Sequence, residues 1–133
     1  MSTWSNYTPV WVASGTQPVL NNGTITSRYI QQGKFVTYVG RLVAGSTTTF
    51  GTGNYSISLP VTSANFFGSN GVIGTSWLRY TVDYQGVLVD GGTTFTIRAV
   101  GSTYGANAVW TTTVPATFAS GDWLSWCCTY EAA

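Results

Sequence analysis

The chain has 133 residues, of which only 7% are Asp, Glu, Lys or Arg, none is histidine and 15% are aromatic, whereas an ordinary soluble domain carries about 25% charged residues. A net charge of +1 from scattered cations forms no basic stripe and so argues against nucleic-acid binding, while the missing histidine removes Ser-His-Asp and Cys-His catalysis. The length fits one domain over residues 1–133, and 44% hydrophobic content separates it from disordered chains.

In chain order the signals are β throughout: short runs rich in Val, Ile, Thr, Tyr and Phe, punctuated by Gly, Asn and Ser. The opening MSTWSNYTPVW holds neither a basic nor an apolar segment, so it does not read as a signal peptide. No apolar run approaches a membrane span, and membrane insertion is not expected. Thr8 to Val12 reads as a first strand, confined to an edge by Pro9, and Asn21-Asn22-Gly23 as a turn. Thr24 to Gln31 and Lys34 to Val43 flank a tight hairpin turn at Gln32-Gly33. In the second of these strands Val36, Tyr38, Gly40 and Leu42 share one face, and Phe35, Thr37, Val39, Arg41 and Val43 the other. Both faces are largely apolar, which predicts a central strand covered on both sides.

Ala44 to Gly53 is a Gly/Ser/Thr loop. Asn54 to Pro60 alternates with Tyr55, Ile57 and Leu59 inward. Thr62 to Gly71, with Phe66 and Phe67, is a connection. Val72 to Asp83 reads as one strand, and Tyr84 to Val89 pairs with Thr93 to Val100 across Asp90-Gly91-Gly92. Ser102 to Asn107 is a loop bearing Tyr104, and Ala108 to Val114 a strand bearing Trp110. Ser120-Gly121-Asp122 turns into the last strand, Trp123 to Tyr130, where Leu124, Trp126, Cys128 and Tyr130 share one face. Eight or nine strands without a helix predict an all-β antiparallel jelly-roll sandwich. A closed barrel is the next architecture and an immunoglobulin-like sandwich, lacking its Cys…Trp…Cys spacing, the third.

The four acids are Asp83, Asp90, Asp122 and Glu131. A glycosidase would need two of them facing one another, either Asp83 with Asp90 or Asp122 with Glu131. Asp90 precedes Gly-Gly and Asp122 follows Gly, so turn formation explains both, and Glu131 lies close to the C-terminus. The chain is therefore not read as an enzyme. Adjacent Cys127 and Cys128 point to opposite faces of a strand, which prevents their bridging and leaves Cys128 a core residue. No cofactor is expected. Zinc lacks ligands and no Gly-rich loop leads into a helix, while calcium on Asp83 or Asp90 plus carbonyls stays open without a ligand-spaced acidic loop to favour it.

Aromatic side chains are what remains. Trp77, Tyr104 and Trp110 fall near loops or strand ends and are the candidate glycan-stacking residues, although a core or an interface uses aromatics equally well. Near-zero net charge on so aromatic a chain favours a closed oligomer. Phe35, Val39 and Trp123 are the candidate interface, and the pattern leaves open which strand face the core takes and which a neighbouring subunit takes.

Three motifs and the C-terminus carry a resemblance. They are Pro9-Val10-Trp11; the Gly33-Lys34 turn followed by Gly45-Ser-Thr-Thr-Thr-Phe50-Gly51; Tyr55-Ser-Ile-Ser-Leu59-Pro60; and, at the end, Ser120-Gly121-Asp122 with Tyr130-Glu131-Ala132. Together, over nearly the whole chain, they resemble small domains of phage tail-fibre and minor tail proteins, largely from phages of Gram-positive actinobacteria. The resemblance implies a trimeric jelly-roll knob similar to the tumour-necrosis-factor type, made in the host cytoplasm and carried on the virion surface. Its implied partners are two further copies of itself, other virion proteins and a host cell-wall polysaccharide, and it transfers no catalytic residue. The chain departs from a long fibre in having no shaft. That leaves a tail-tip, baseplate or capsid-decoration subunit with only protein partners as the alternative, and a carbohydrate-binding module as the third.

Overall fold

The computed structural model describes residues 2–68, 71–100 and 108–133. They form nine strands: β1 (Ser5–Tyr7), β2 (Trp11–Ala13), β3 (Thr24–Gln32), β4 (Phe35–Val43), β5 (Tyr55–Ser58), β6 (Val72–Arg79), β7 (Asp83–Asp90), β8 (Thr94–Ala99) and β9 (Trp123–Glu131). All belong to one antiparallel sheet in the order β1-β3-β4-β9-β6-β7-β8-β5-β2. No α-helix occurs among the described residues. The chain is an all-β sandwich of the jelly-roll type.

The sheet curls over its own core. Tyr38 on β4 and Trp126 on β9 meet Phe95 on β8, with ring centroids 6.3 and 5.6 Å apart. These strands lie far apart in the sheet order, so the contact requires the two halves to face each other. The curl nearly brings the two edges together. Tyr7 of the first edge bonds its hydroxyl to Ser58 Oγ at 2.8 Å, and Ser58 sits on β5, which pairs with the last edge β2. Thr8, Pro9 and Val10 carry the chain from one edge to the other. Both edge strands are very short, which limits unwanted pairing with other chains.

Alternation places the inward residues. Val36, Tyr38 and Leu42 of β4, Tyr55 and Ile57 of β5, Phe95 and Ile97 of β8, and Leu124, Trp126, Cys128 and Tyr130 of β9 are all buried. Gly33, at φ +59°, makes the turn between β3 and β4, where a residue with a side chain would be strained. Gly40 faces inward beneath the Trp126 indole and Ser27, and a Cβ there would strike both. The 44–53 loop is tied back to the Asn21-Asn22 turn: Asn22 Oδ1 accepts from Thr47 N at 2.9 Å, and Asn21 Nδ2 donates to the Thr47 carbonyl at 2.6 Å.

Three strand expectations change. Thr8 to Val12 is not one strand: Pro9 supplies no N–H for a ladder, and the residues around it cross between edges. Val72 to Asp83 is not one strand: it holds β6 and the turn into β7, which passes through Tyr80, Thr81 and Val82 without any Gly or Asn to signal it. Ala108 to Val114 makes only isolated bridges, Val109 to Arg98 and Thr111 to Asn54.

Candidate functional site

The outward face of β3, β4, β9, β6 and β7 follows from the register. Thr26, Arg41, Ser125, Trp77 and Gln85 lie side by side across it. The neighbouring row runs Asn6, Arg28, Val39, Cys127, Thr75 and Val87. Ser125 in the first row and Cys127 and Thr75 in the second are short, as is Thr26 at the end of the first, and the longer side chains stand around them. A groove of about 460 Å³ results, walled by Asn6, Thr26, Arg28, Val39, Arg41 and Ser125 and floored by Ser27, Gly40 and Trp126. A second hollow of about 220 Å³ adjoins it across Ser125 and Trp126, lined by Thr75, Ser76, Trp77, Gln85 and Cys127.

Both groove arginines are held by tryptophans. The Arg28 guanidinium lies over Trp4, 4.8 Å from the ring centroid, and that of Arg41 over Trp123 at 4.0 Å. Arg41 pairs with Ser125, so Trp123 is its diagonal neighbour on β9, a position that a long side chain reaches easily. Cation–π stacking of this kind contributes about 0.5–1 kcal/mol at exposed sites. Its larger effect here is to hold two flexible side chains upright beside the groove.

Of the candidate stacking residues, Trp77 stands on this face, 47% exposed, at the second hollow. Trp110 does not belong to any site open to solvent. It is fully buried, stacked on Trp11 with centroids 6.2 Å apart, and its indole N–H donates to the Tyr80 hydroxyl at 2.9 Å. The reason is that residues 109–111 dip across the open end between β8 and β5, as the Trp110 bonds to the Ile97 carbonyl and from Tyr55 N show. Tyr104 lies outside the described residues.

Phe35, Val39 and Trp123 also share the outward face of β4 and β9. Val39 walls the groove and Trp123 carries Arg41, whereas Phe35 is at the far end, opposite Glu131. The same sheet face thus receives Trp77, one of the three residues expected to bind a glycan, together with those expected to bind another subunit, so the two roles compete for it. Arg28 and Arg41 were the residues hardest to see in the sequence, where they look like isolated cations. The hairpin register contained the signal: a turn at Gly33 sets Arg28 opposite Val39 and Arg41 opposite Thr26, all on one face.

The carboxylates are dispersed. Asp83 and Asp90 begin and end β7, about 24 Å apart at the ~3.4 Å rise of a strand. Asp122 and Glu131 bracket β9, about 30 Å apart on the same rise. Inverting and retaining glycosidases hold their pair within about 10 Å, so neither pairing forms one. Asp90 is buried, accepting from Ser63 Oγ and from Gly92 N, and Asp122 accepts from Ala119 N at 2.8 Å: both brace turns. Asp83 pairs with Arg79 at 3.1 Å. No cluster of three or more His, Cys, Asp or Glu suited to a metal occurs among the described residues. Cys127 is exposed and Cys128 buried, unbridged, with burial raising the Cys128 thiol pKa well above its ordinary range.

A separate apolar patch lies at the Phe35 end. Phe66 and Phe67 are 79% and 78% exposed and share a hollow with Val72 and Glu131.

No protein-family model matches the chain, and neither a curated protein nor a solved structure matches it.

Proposed function

We propose that the chain is a non-catalytic attachment domain of a phage virion, a tail-fibre or minor-tail knob that engages a host cell-surface glycan through the outward face of β3, β4, β9 and β6. The observation that carries the binding part of this reading is the grouping of Trp77, Arg28, Arg41, Asn6, Thr26 and Ser125 around one groove. Indole faces stack on the apolar faces of sugar rings, while guanidinium, amide and hydroxyl groups bond the ring hydroxyls. The virion assignment rests on the tail-fibre resemblance of the sequence.

A homotrimer is part of the same reading, but the groove has to remain open in it. Self-association is therefore assigned to the apolar end formed by Phe35, Phe66, Phe67 and Val72 rather than to Val39 and Trp123. Sedimentation at micromolar concentration tests this: a trimer is expected, and a monomer contradicts it. Pull-down on purified cell-wall polysaccharide of the host tests attachment. Wild type is retained and Trp77→Ala is retained less; equal passage of both through the matrix refutes the glycan reading.

The exposed Phe66–Phe67 pair favours a second reading, a decoration or tail-assembly subunit that touches only virion proteins. That reading predicts incorporation into particles with no retention on polysaccharide.

A further inference from the structure

Among the described residues the ion pair within 4 Å is Arg79–Asp83, and neither Arg28 nor Arg41 has a carboxylate at that distance. Two of the chain's five cations therefore flank one groove without a counter-charge, on a protein that carries hardly any charge elsewhere. Arg28 is opposite Val39, and Arg41 is two residues further along β4, a diagonal spacing of about 7–8 Å between backbone positions. Glu131, the nearest acid along β9 on this face, is four residues from Cys127, about 14 Å by strand rise. Asp83 on the same face is already held by Arg79.

A guanidinium lying over an indole uses its flat face and leaves its N–H donors, which point within its own plane, free to bond. Two such forks beside a groove match the oxygens of a carboxylate or phosphate, and an anion between them relieves their mutual repulsion. Asn6, Thr26 and Ser125 add neutral donors and acceptors along the same walls.

We propose that Arg28 and Arg41 recognise a negatively charged substituent, a carboxylate or a phosphate, on the glycan that occupies this groove. The inference rests on the reading of this face as the glycan site and specifies its ligand class: acidic wall polysaccharides rather than neutral ones. Salt weakens the interaction, because exposed charges are screened.

The test uses the whole protein against three immobilised polymers: polygalacturonate for the carboxylate, poly(glycerol phosphate) for the phosphate, and dextran as the neutral chain. Wild type is expected to prefer at least one acidic polymer over dextran by about tenfold, and the Arg28→Gln, Arg41→Gln pair to lose about that factor, the size typical of removing charge-assisted hydrogen bonds. Which polymer is preferred distinguishes carboxylate from phosphate. Lys34→Gln removes a like charge from the turn between β3 and β4, outside the groove, and is expected to leave binding unchanged. A measurement without variants runs alongside: inorganic phosphate should displace the polymer from wild type more effectively than sodium chloride at equal ionic strength. No preference for either acidic polymer, an unaffected glutamine pair, or phosphate no better than chloride overturns the inference. If host polysaccharide is still retained on wild type in that case, the attachment reading survives and the groove takes a neutral glycan. If host polysaccharide also passes through, both fall.

Discussion

The indole N–H of Trp110 donates to the Tyr80 hydroxyl at 2.9 Å, and both rings are closed off from solvent. Around this bond the aromatic core is continuous. Trp110 meets Tyr55 edge-on at 4.6 Å and stacks on Trp11, and Tyr80 stacks on Phe118 at 5.2 Å. The bond supplies an acceptor for the buried Trp110 N–H, which the buried indoles of Trp11 and Trp126 lack. It joins the segment after β8 to the turn between β6 and β7 in one packed unit.

Tyr80→Phe keeps the ring and removes the acceptor. The Trp110 N–H is then buried without a partner, which costs about 1–3 kcal/mol. Urea unfolding monitored by tryptophan fluorescence is expected to show that loss, with polysaccharide retention unchanged because the groove is on the other side of the sheet. An unchanged midpoint would mean that the N–H finds a partner elsewhere.

Gly40→Ala should destabilise the protein although alanine favours strands more than glycine. Its methyl would meet the Trp126 indole and Ser27 from the inward side, and overpacking of this kind typically costs about 1–3 kcal/mol. Thermal unfolding is the measurement, and a higher midpoint than wild type would contradict the packing at this point.

Stability should fall in alkali. Burial raises the pKa of Tyr38, Tyr80 and Tyr130 far above the ordinary value of 10.0, that of Cys128 above 9.0, and that of Tyr55 to about 12. Each of these groups stays protonated in the folded chain where the unfolded chain has already released its proton. The unfolded state then binds fewer protons, so unfolding free energy decreases with rising pH. The contribution is fully present below pH 9.0, begins to decline there through Cys128, declines more steeply above 10.0 and is still being lost at about 12. Urea midpoints measured across this range should drop steadily, and a flat profile between 10.0 and 12 would refute the burial of these hydroxyls.

The adjacent cysteines should behave as opposites. Cys127 is exposed on the groove face and Cys128 is in the core. A maleimide is expected to label one thiol in the native protein and both in denaturant. Because Cys127 lines the hollow beside Trp77, a bulky label there should also lower polysaccharide retention. Labelling of both thiols in the folded protein would contradict the strand orientation of β9.

Much of the fold is legible in the residues alone. Alternation assigned Tyr55, Ile57, Trp126 and Cys128 to the inside, and the burial of all four follows from it. Gly33, Gly92 and Gly121, all at positive φ, mark turns that their neighbours announce. The β6–β7 turn is not legible, since Tyr80, Thr81 and Val82 carry no conformational preference for turning. Pro9 shows that a strand cannot continue, but not that the chain there leaves one edge of the sheet for the other.

The site divides in the same way. The sequence by itself determined that catalytic chemistry has almost no side chains to draw on, that the chain is all-β, and which residues share a face within a strand, because those properties follow from composition and from a period of two along one strand. Only the tertiary structure decided that β9 lies between β4 and β6, three places in the sheet order from β8, the strand before it in the chain. That insertion places Trp123 under Arg41 and Trp77 beside Ser125, and it turns isolated tryptophans and arginines into one groove. It also decided that Trp110 is core, since a loop aromatic faces inward or outward according to what packs beneath it. Pairing between strands distant in the chain is set by how the whole sheet closes on its core, and no local pattern in the sequence encodes it.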